Sequence, residues 1–136
     1  MRFDTKIIVV LRTDLPVWQR LNMVAFLISG IAARMEGIIG EDYEDGSGRV
    51  YLPMFRQPVL VFGADSSQIR QAYERAVSRE LPMAIFTDEL FATSHDAANR
   101  EAVRAVASEQ LSLSGLAVYG PRKAADAVVK GLSLHD

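Results

Sequence analysis

The chain has no cysteine, which excludes disulfides, thiolate nucleophiles and cysteine metal sites and agrees with a reducing cytoplasm. It has no excess of positive charge: 15 Lys and Arg stand against 17 Asp and Glu, for a formal net charge of -2. No whole-molecule field therefore draws it to phosphate backbones, and a nucleic-acid role, on tRNA for instance, needs a local basic patch. Lys6, Arg12, Arg20 and Arg34 are the candidates for one, spread over a strand and a largely apolar helix. Long apolar runs are missing too. Ile7 to Leu11 is flanked by Lys6 and Arg12 without a small-residue cleavage site, and Met23 to Ala33 is broken by Ser29 and Gly30. The first is no signal peptide, and the second falls short of the roughly 20 residues that cross a bilayer. A soluble, cytoplasmic protein with no membrane partner is expected. The sequence also lacks G-x-S-x-G, H-E-x-x-H, a phosphate-binding loop and a G-x-G-x-x-G after the first strand, so no cofactor and no metal are expected.

What is present reads as one domain over residues 1–136, a length that buries roughly 68% of the unfolded chain's surface. "KIIVVLR" is a β-branched run of the kind buried on both faces of an α/β sheet. Pro16 then opens a helix in which Leu21, Val24, Ala25, Ile28, Ala32 and Met35 recur at helical spacing, while Trp18, Phe26, Leu27 and Ile31 fill most of the remaining circumference. A helix apolar nearly all round needs cover from its own domain or from a second copy, which motivates a homo-oligomer. Residues 40 to 53 read as a hairpin around Asp45, Gly46, Ser47 and Gly48, with Glu41, Asp42, Glu44 and Asp45 forming a solvated acidic loop rather than a calcium site.

Further strands are expected at residues 58–64, 81–87 and 114–119. Between and after them come a helix capped by Asp65 and Gln68, a helix from about Asp96 to Ala107, and a last helix from Pro121 to near Gly131. The alternation predicts a three-layer α/β/α sandwich with a mixed, mostly parallel four-stranded sheet.

Ligands of open α/β sheets gather outside the carboxyl ends of the strands. Two junctions there are rich in functional groups: Thr13, Asp14, Gln19, Arg20 and Asn22 after the first strand, and Thr87, Asp88, Glu89, Thr93, Ser94, His95 and Asp96 after the third. If those strands are parallel neighbours, Asp14, Asp88 and His95 share one cleft. Asp88 and His95 are then the candidate catalytic pair, His95 able to shuttle protons near neutral pH, and Asp14, Arg20, Asn22 and Thr93 the candidate ligand contacts. The plainer reading is capping: Asp14 for the first helix, Thr93 and Ser94 for the later one.

"KIIVVLRTDL", "PVLVFGADSSQIRQAYERAVSRELPMAIFTD" and "LAVYGPRKAADAVVKGLSLH" resemble, in order, the opening strand, the central strand–helix–strand and the closing strand and helix of the type II peptidyl-tRNA hydrolases. A closer resemblance, carried by "LNMVAFL", "YLPMFRQPVLVF", "LFATSHDAANREAV" and the closing segment, is to an uncharacterised bacterial family of this fold, domain of unknown function two thousand. The hydrolase resemblance implies a peptidyl-tRNA hydrolase II-like fold, with Asp88 matching an acidic position at a strand end and Thr93 lying one residue from a threonine that follows it. It also implies a catalytic lysine in a glycine-rich turn, yet Pro16 to Ile28 contains no lysine, glycine or histidine. Gln19 or Arg20 lies nearest the lysine position, and arginine supplies charge but not proton transfer. The leading expectation is therefore a hydrolase-like cleft that binds a small ligand or partner. The alternatives are an ester hydrolase acting on peptidyl-tRNA and a structural homo-oligomer.

Overall fold

The computed structural model describes residues 2–136. The chain runs β1 (Thr5–Arg12), α1 (Val17–Arg34), β2 (Tyr43–Glu44), β3 (Val50–Tyr51), β4 (Val59–Ala64), α2 (Ser66–Ser78), β5 (Met83–Thr87), α3 (Asp96–Arg104), β6 (Leu113–Pro121), α4 (Arg122–Val128) and β7 (Ser133–Leu134), with single 3-10 turns at Asp88–Ala92 and Ser108–Gln110. The mixed α/β class expected from the alternation holds.

β1 lies in the middle of a five-stranded sheet of order β5-β6-β1-β4-β7. Its β-branched run serves both faces at once, because successive side chains alternate across a strand. Ile8 and Val10 enter one core with Ile69, Ala72 and Ala76 of α2 and Ala125 and Val128 of α4. Ile7, Val9 and Leu11 enter the other with Met23, Leu27 and Ile31 of α1. The helices thus form outer layers on the two faces, as the sandwich reading required.

The sheet itself differs from the expected mostly parallel, four-stranded one. β1 pairs parallel with β4, but β6 runs antiparallel to both β1 and β5, and β7 antiparallel to β4. The reason lies in α3. It has no buried residue, so it does not cover a sheet face as the helix of a parallel crossover must, and the chain returns from β5 antiparallel in β6. The fifth strand spans two residues and follows Gly131, whose φ of 89° suits glycine. So short a strand has no periodicity to read.

The capping box at the start of α2 forms as expected, with the Gln68 amide donating to Asp65 Oδ1 at 2.8 Å and the Asp65 amide to Gln68 Oε1 at 2.9 Å. The hairpin β2–β3 forms as well. Asp45 closes its tip by accepting from the amides of Ser47 and Arg49 and from the Tyr51 hydroxyl at 2.7 Å. Those bonds hold the Asp45 carboxyl below its usual range, the Tyr51 hydroxyl first, so that acid is a turn-former.

α1 departs from the expectation of a helix wet on little of its surface. Met23, Leu27 and Ile31 are its buried residues, whereas Val17, Trp18, Leu21 and Phe26 are all more than half exposed. Its seat on the sheet depends on Gly115 of β6: a Cβ there would lie 2.7 Å from Met23 Sδ, 3.1 Å from Leu27 Cδ1 and 3.2 Å from the Val10 carbonyl oxygen. Gly115→Ala should therefore lift α1 from the sheet and cost about 1–3 kcal/mol as an overpacking change. Urea denaturation of the two proteins measures it, and an unchanged midpoint would contradict this account of the helix–sheet contact.

Candidate functional site

The carboxyl end of β1 delivers Arg12 to the edge of the sheet, and Arg12 organises the junction there. Its guanidinium, only 12% exposed, donates from Nε to Asp14 Oδ1 at 2.8 Å and from Nη1 to Asp88 Oδ1 at 2.9 Å. Nη1 also donates to the Leu113 carbonyl at 3.2 Å. β5, although separated from β1 by β6, runs in the same direction, so Asp88 after β5 and Asp14 after β1 open at one edge and meet on a single cation. Ser114, fully buried in β6, donates its hydroxyl to Asp88 Oδ1. Glu89, beside it, accepts from the Ser112 hydroxyl at 3.2 Å; its own backbone amide, above all, holds its carboxyl below the ordinary range.

The remaining candidates lie elsewhere. His95 is the N-cap of α3: its Nδ1 accepts from the Ala98 amide at 3.2 Å. The expected caps, Thr93 and Ser94, do not fill that role. Thr93 donates to the Leu90 carbonyl at 3.0 Å and lies against Asn99 Oδ1. Asn22, Thr93 and His95 do share a cavity of about 250 Å³, walled by Trp18, Phe26, Phe86 and Phe91. Asp88 is not on its lining; it faces a separate hollow of about 330 Å³ with Arg12, Ser66 and Arg70. The structure therefore joins Asp14 to Asp88 and Asn22 to Thr93 and His95, but it does not bring Asp88 and His95 into one cavity. Nor does Asp14 cap α1: the N-cap is Pro16, with no side-chain bond.

Arg20 stands in a third place. Its Nη1 lies 2.8 Å from His135 Nε2, across a cleft of about 620 Å³ lined by Leu11, Val17, Leu21, Val24 and Val61. His135 is fixed at the sheet edge by its own amide, which donates to the Val61 carbonyl at 2.8 Å. Since arginine stays protonated, Nη1 donates and Nε2 accepts; Nδ1, 2.8 Å from the Asp136 carbonyl oxygen, then carries the imidazole proton. Arg12, Ser114 and His135 are the residues that reading the two junctions missed. Arg12 carried a signal, being a strand-terminal cation two residues from Asp14. His135 carried none, because β7 is too short to announce itself.

Among the described residues no group of three or more His, Asp or Glu is placed to hold a metal ion, and no helix is long and apolar enough to cross a membrane.

A family model described as "Protein of unknown function (DUF2000)" matches residues 5–136. A solved structure of a protein of unknown function from Agrobacterium tumefaciens is similar at 44% identity and a TM-score of 0.96, covering 99% of this chain and 100% of that one. No curated protein matches the sequence.

The Arg12 cluster has an electrostatic signature. Burial alone would lower the Arg12 pKa, but the bonds and charges of Asp14 and Asp88 outweigh it and raise it. In return the Arg12 hydrogen bond holds the Asp14 carboxyl below its ordinary range. A depressed carboxylate pKa stabilises the fold above the unfolded value, near 3.9, and that stability is lost as pH falls through the folded value. Arg12→Met should cost about 1–2 kcal/mol at neutral pH, the half-exposed partners limiting the loss, and should return Asp14 to the ordinary range. Carboxyl titration by NMR with parallel denaturation checks both, and an Asp14 titration identical in the two proteins would refute the pairing.

Proposed function

The chain belongs to the DUF2000 family, and we propose that it is a small-ligand-binding protein whose site is the cleft between α1 and the β4–β7 edge of the sheet. One observation carries this reading: a hollow of about 620 Å³ is walled by aliphatic side chains of β1, α1 and β4, with Arg20, His135 and Asp136 as its polar groups. That is the composition of a small-molecule site, a mostly apolar volume within the range of roughly 300–1,000 Å³ and a few polar groups that orient the occupant. The Arg12–Asp14–Asp88 junction supports the choice by contrast, since its charged groups are spent on one another.

We extend the reading to the architecture, which we take as peptidyl-tRNA hydrolase II-like. The parallel β1–α1–β4 unit, the antiparallel return through β6 and the acidic residue at the end of β5 support it. An active hydrolase of that type is disfavoured on the chemistry present, because Pro16 to Ile28 holds no lysine, Gln19 or Arg20 lies nearest the position that needs one, and Arg20 stays charged.

The ligand reading is tested with the fluorescent apolar probe N-phenyl-1-naphthylamine. The wild type should bind it with saturable enhancement. Leu21→Gln, at a position 68% exposed and therefore harmless to folding, should weaken binding about tenfold, the transfer free energy of the lost apolar surface. Val24→Phe should fill the cleft and do the same. Saturable binding of equal strength in all three proteins would place the probe elsewhere.

A second reading, a homo-oligomer, is favoured by the exposed Val17, Trp18, Leu21 and Phe26 of α1, since large apolar patches mark interaction surfaces. Light scattering over a hundredfold concentration range should then show a rising mass that Trp18→Glu abolishes while circular dichroism stays unchanged; a constant monomer mass excludes it.

A further inference from the structure

Arg20 is a cation in an unusual position. It sits in the first turns of α1, an 18-residue helix that has no acidic residue in its first turn and no side-chain cap, so its charge adds to the positive end of the helix dipole instead of opposing it. Its Nε is buried without a hydrogen-bond partner. The bond of its guanidinium goes from Nη1 to a neutral imidazole, and the four ion pairs among the described residues do not include it. A partly buried guanidinium outside any ion pair and with an unsatisfied N–H is costly, and an anion placed beside it lowers that cost.

We propose that the occupant of the cleft is an amphipathic carboxylate, its apolar chain along Leu11, Leu21, Val24 and Val61 and its head group on the guanidinium of Arg20. The inference rests on the ligand-binding reading above and adds the chemistry of the head group. With Nη1 held by His135 and Nε buried, a carboxylate in the cleft meets the remaining face of the guanidinium as a charge-assisted acceptor. His135 is a positioning residue: anchored through its amide to the Val61 carbonyl, it holds the Arg20 guanidinium in place at the cleft. A single negative charge fits better than a phosphate dianion, because Asp136 lines the cleft itself, Asp65 and Asp136 border the adjoining hollow, and Arg20 is the arginine that serves both. The apolar walls account for affinity, and the arginine selects the head.

The experiment measures displacement of N-phenyl-1-naphthylamine by decanoate, decan-1-ol and decyl phosphate, three ligands that share one chain. In the wild type, decanoate should displace the probe at a concentration about tenfold or more below that of decan-1-ol, the worth of charge-assisted hydrogen bonds. Arg20→Met should erase that preference while leaving decan-1-ol unchanged, and Arg20→Lys, which keeps the charge but not the fork, should restore part of it. Equal displacement by decanoate and decan-1-ol in the wild type overturns the carboxylate assignment and leaves the apolar cleft standing. Decyl phosphate outcompeting decanoate also overturns it, in favour of a phosphate head. If none of the three displaces the probe from a site that Leu21→Gln weakens, the carboxylate assignment fails and the cleft stands; if the probe does not bind, or binds equally well to Leu21→Gln, the cleft reading fails with it.

Discussion

The fold depends on β1 being buried on both faces. Ile7, Ile8, Val9 and Val10 are all fully buried, and their alternation gives two cores from a single strand, one under α1 and one under α2 and α4. A one-residue slip would exchange every one of those side chains between faces, so the register against β4 and β6 is strongly specified. Everything at the carboxyl edge inherits that rigidity. Arg12 is where it is because Leu11 cannot move, and Asp14 and Asp88 are together because both come to Arg12.

That junction shows how a polar cluster holds a sheet edge. Two carboxylates share one guanidinium, and a buried serine hydroxyl fixes one of them. Each group satisfies another, and charge-assisted bonds of this kind are worth more than neutral ones. At Arg20 the arrangement is reversed. The start of α1 leaves a guanidinium beside aliphatic walls, bonded to a histidine and outside any ion pair. Paired charges lock a structure; an unpaired one invites a counter-charge from outside.

How much of this was legible in the sequence follows from the range of each interaction. The β-branched run of β1, the capping box of α2 and the Asp45 turn are local, and reading neighbours at fixed spacing located them. The sheet's direction was not local. It turned on whether α3 covers a face, and the alanines of Asp96–Arg104 look like those of any amphipathic helix. Two edges of the site were likewise out of reach: the pairing of Arg12 with Asp88 spans 76 residues, and that of Arg20 with His135 spans 115. Sequence reasoning placed Asp14, Asp88, Arg20, Asn22, Thr93 and His95 near the right edge of the sheet, yet grouped them by junction, whereas the fold sorts them into three separate places.

The apolar side of α1 ties the two readings of function to one surface. Val17 and Leu21 line the cleft and are also among the most exposed apolar residues of the helix. A second copy seated on that face would cover the mouth of the cleft, and a ligand in the cleft would cover part of the interface. Two processes that compete for the same residues are thermodynamically linked: whatever factor the ligand takes from self-association, self-association takes from ligand affinity. A helix selected only to fill a core would bury Val17, Trp18 and Leu21 or replace them with polar residues, and α1 does neither. Its exposed apolar residues begin in the same turns as Arg20, so apolar surface to cover and a charge to neutralise lie together. A ligand with an apolar chain and an acidic head meets both requirements in one binding event, whereas a second copy of the same surface would bring another Arg20 against the first.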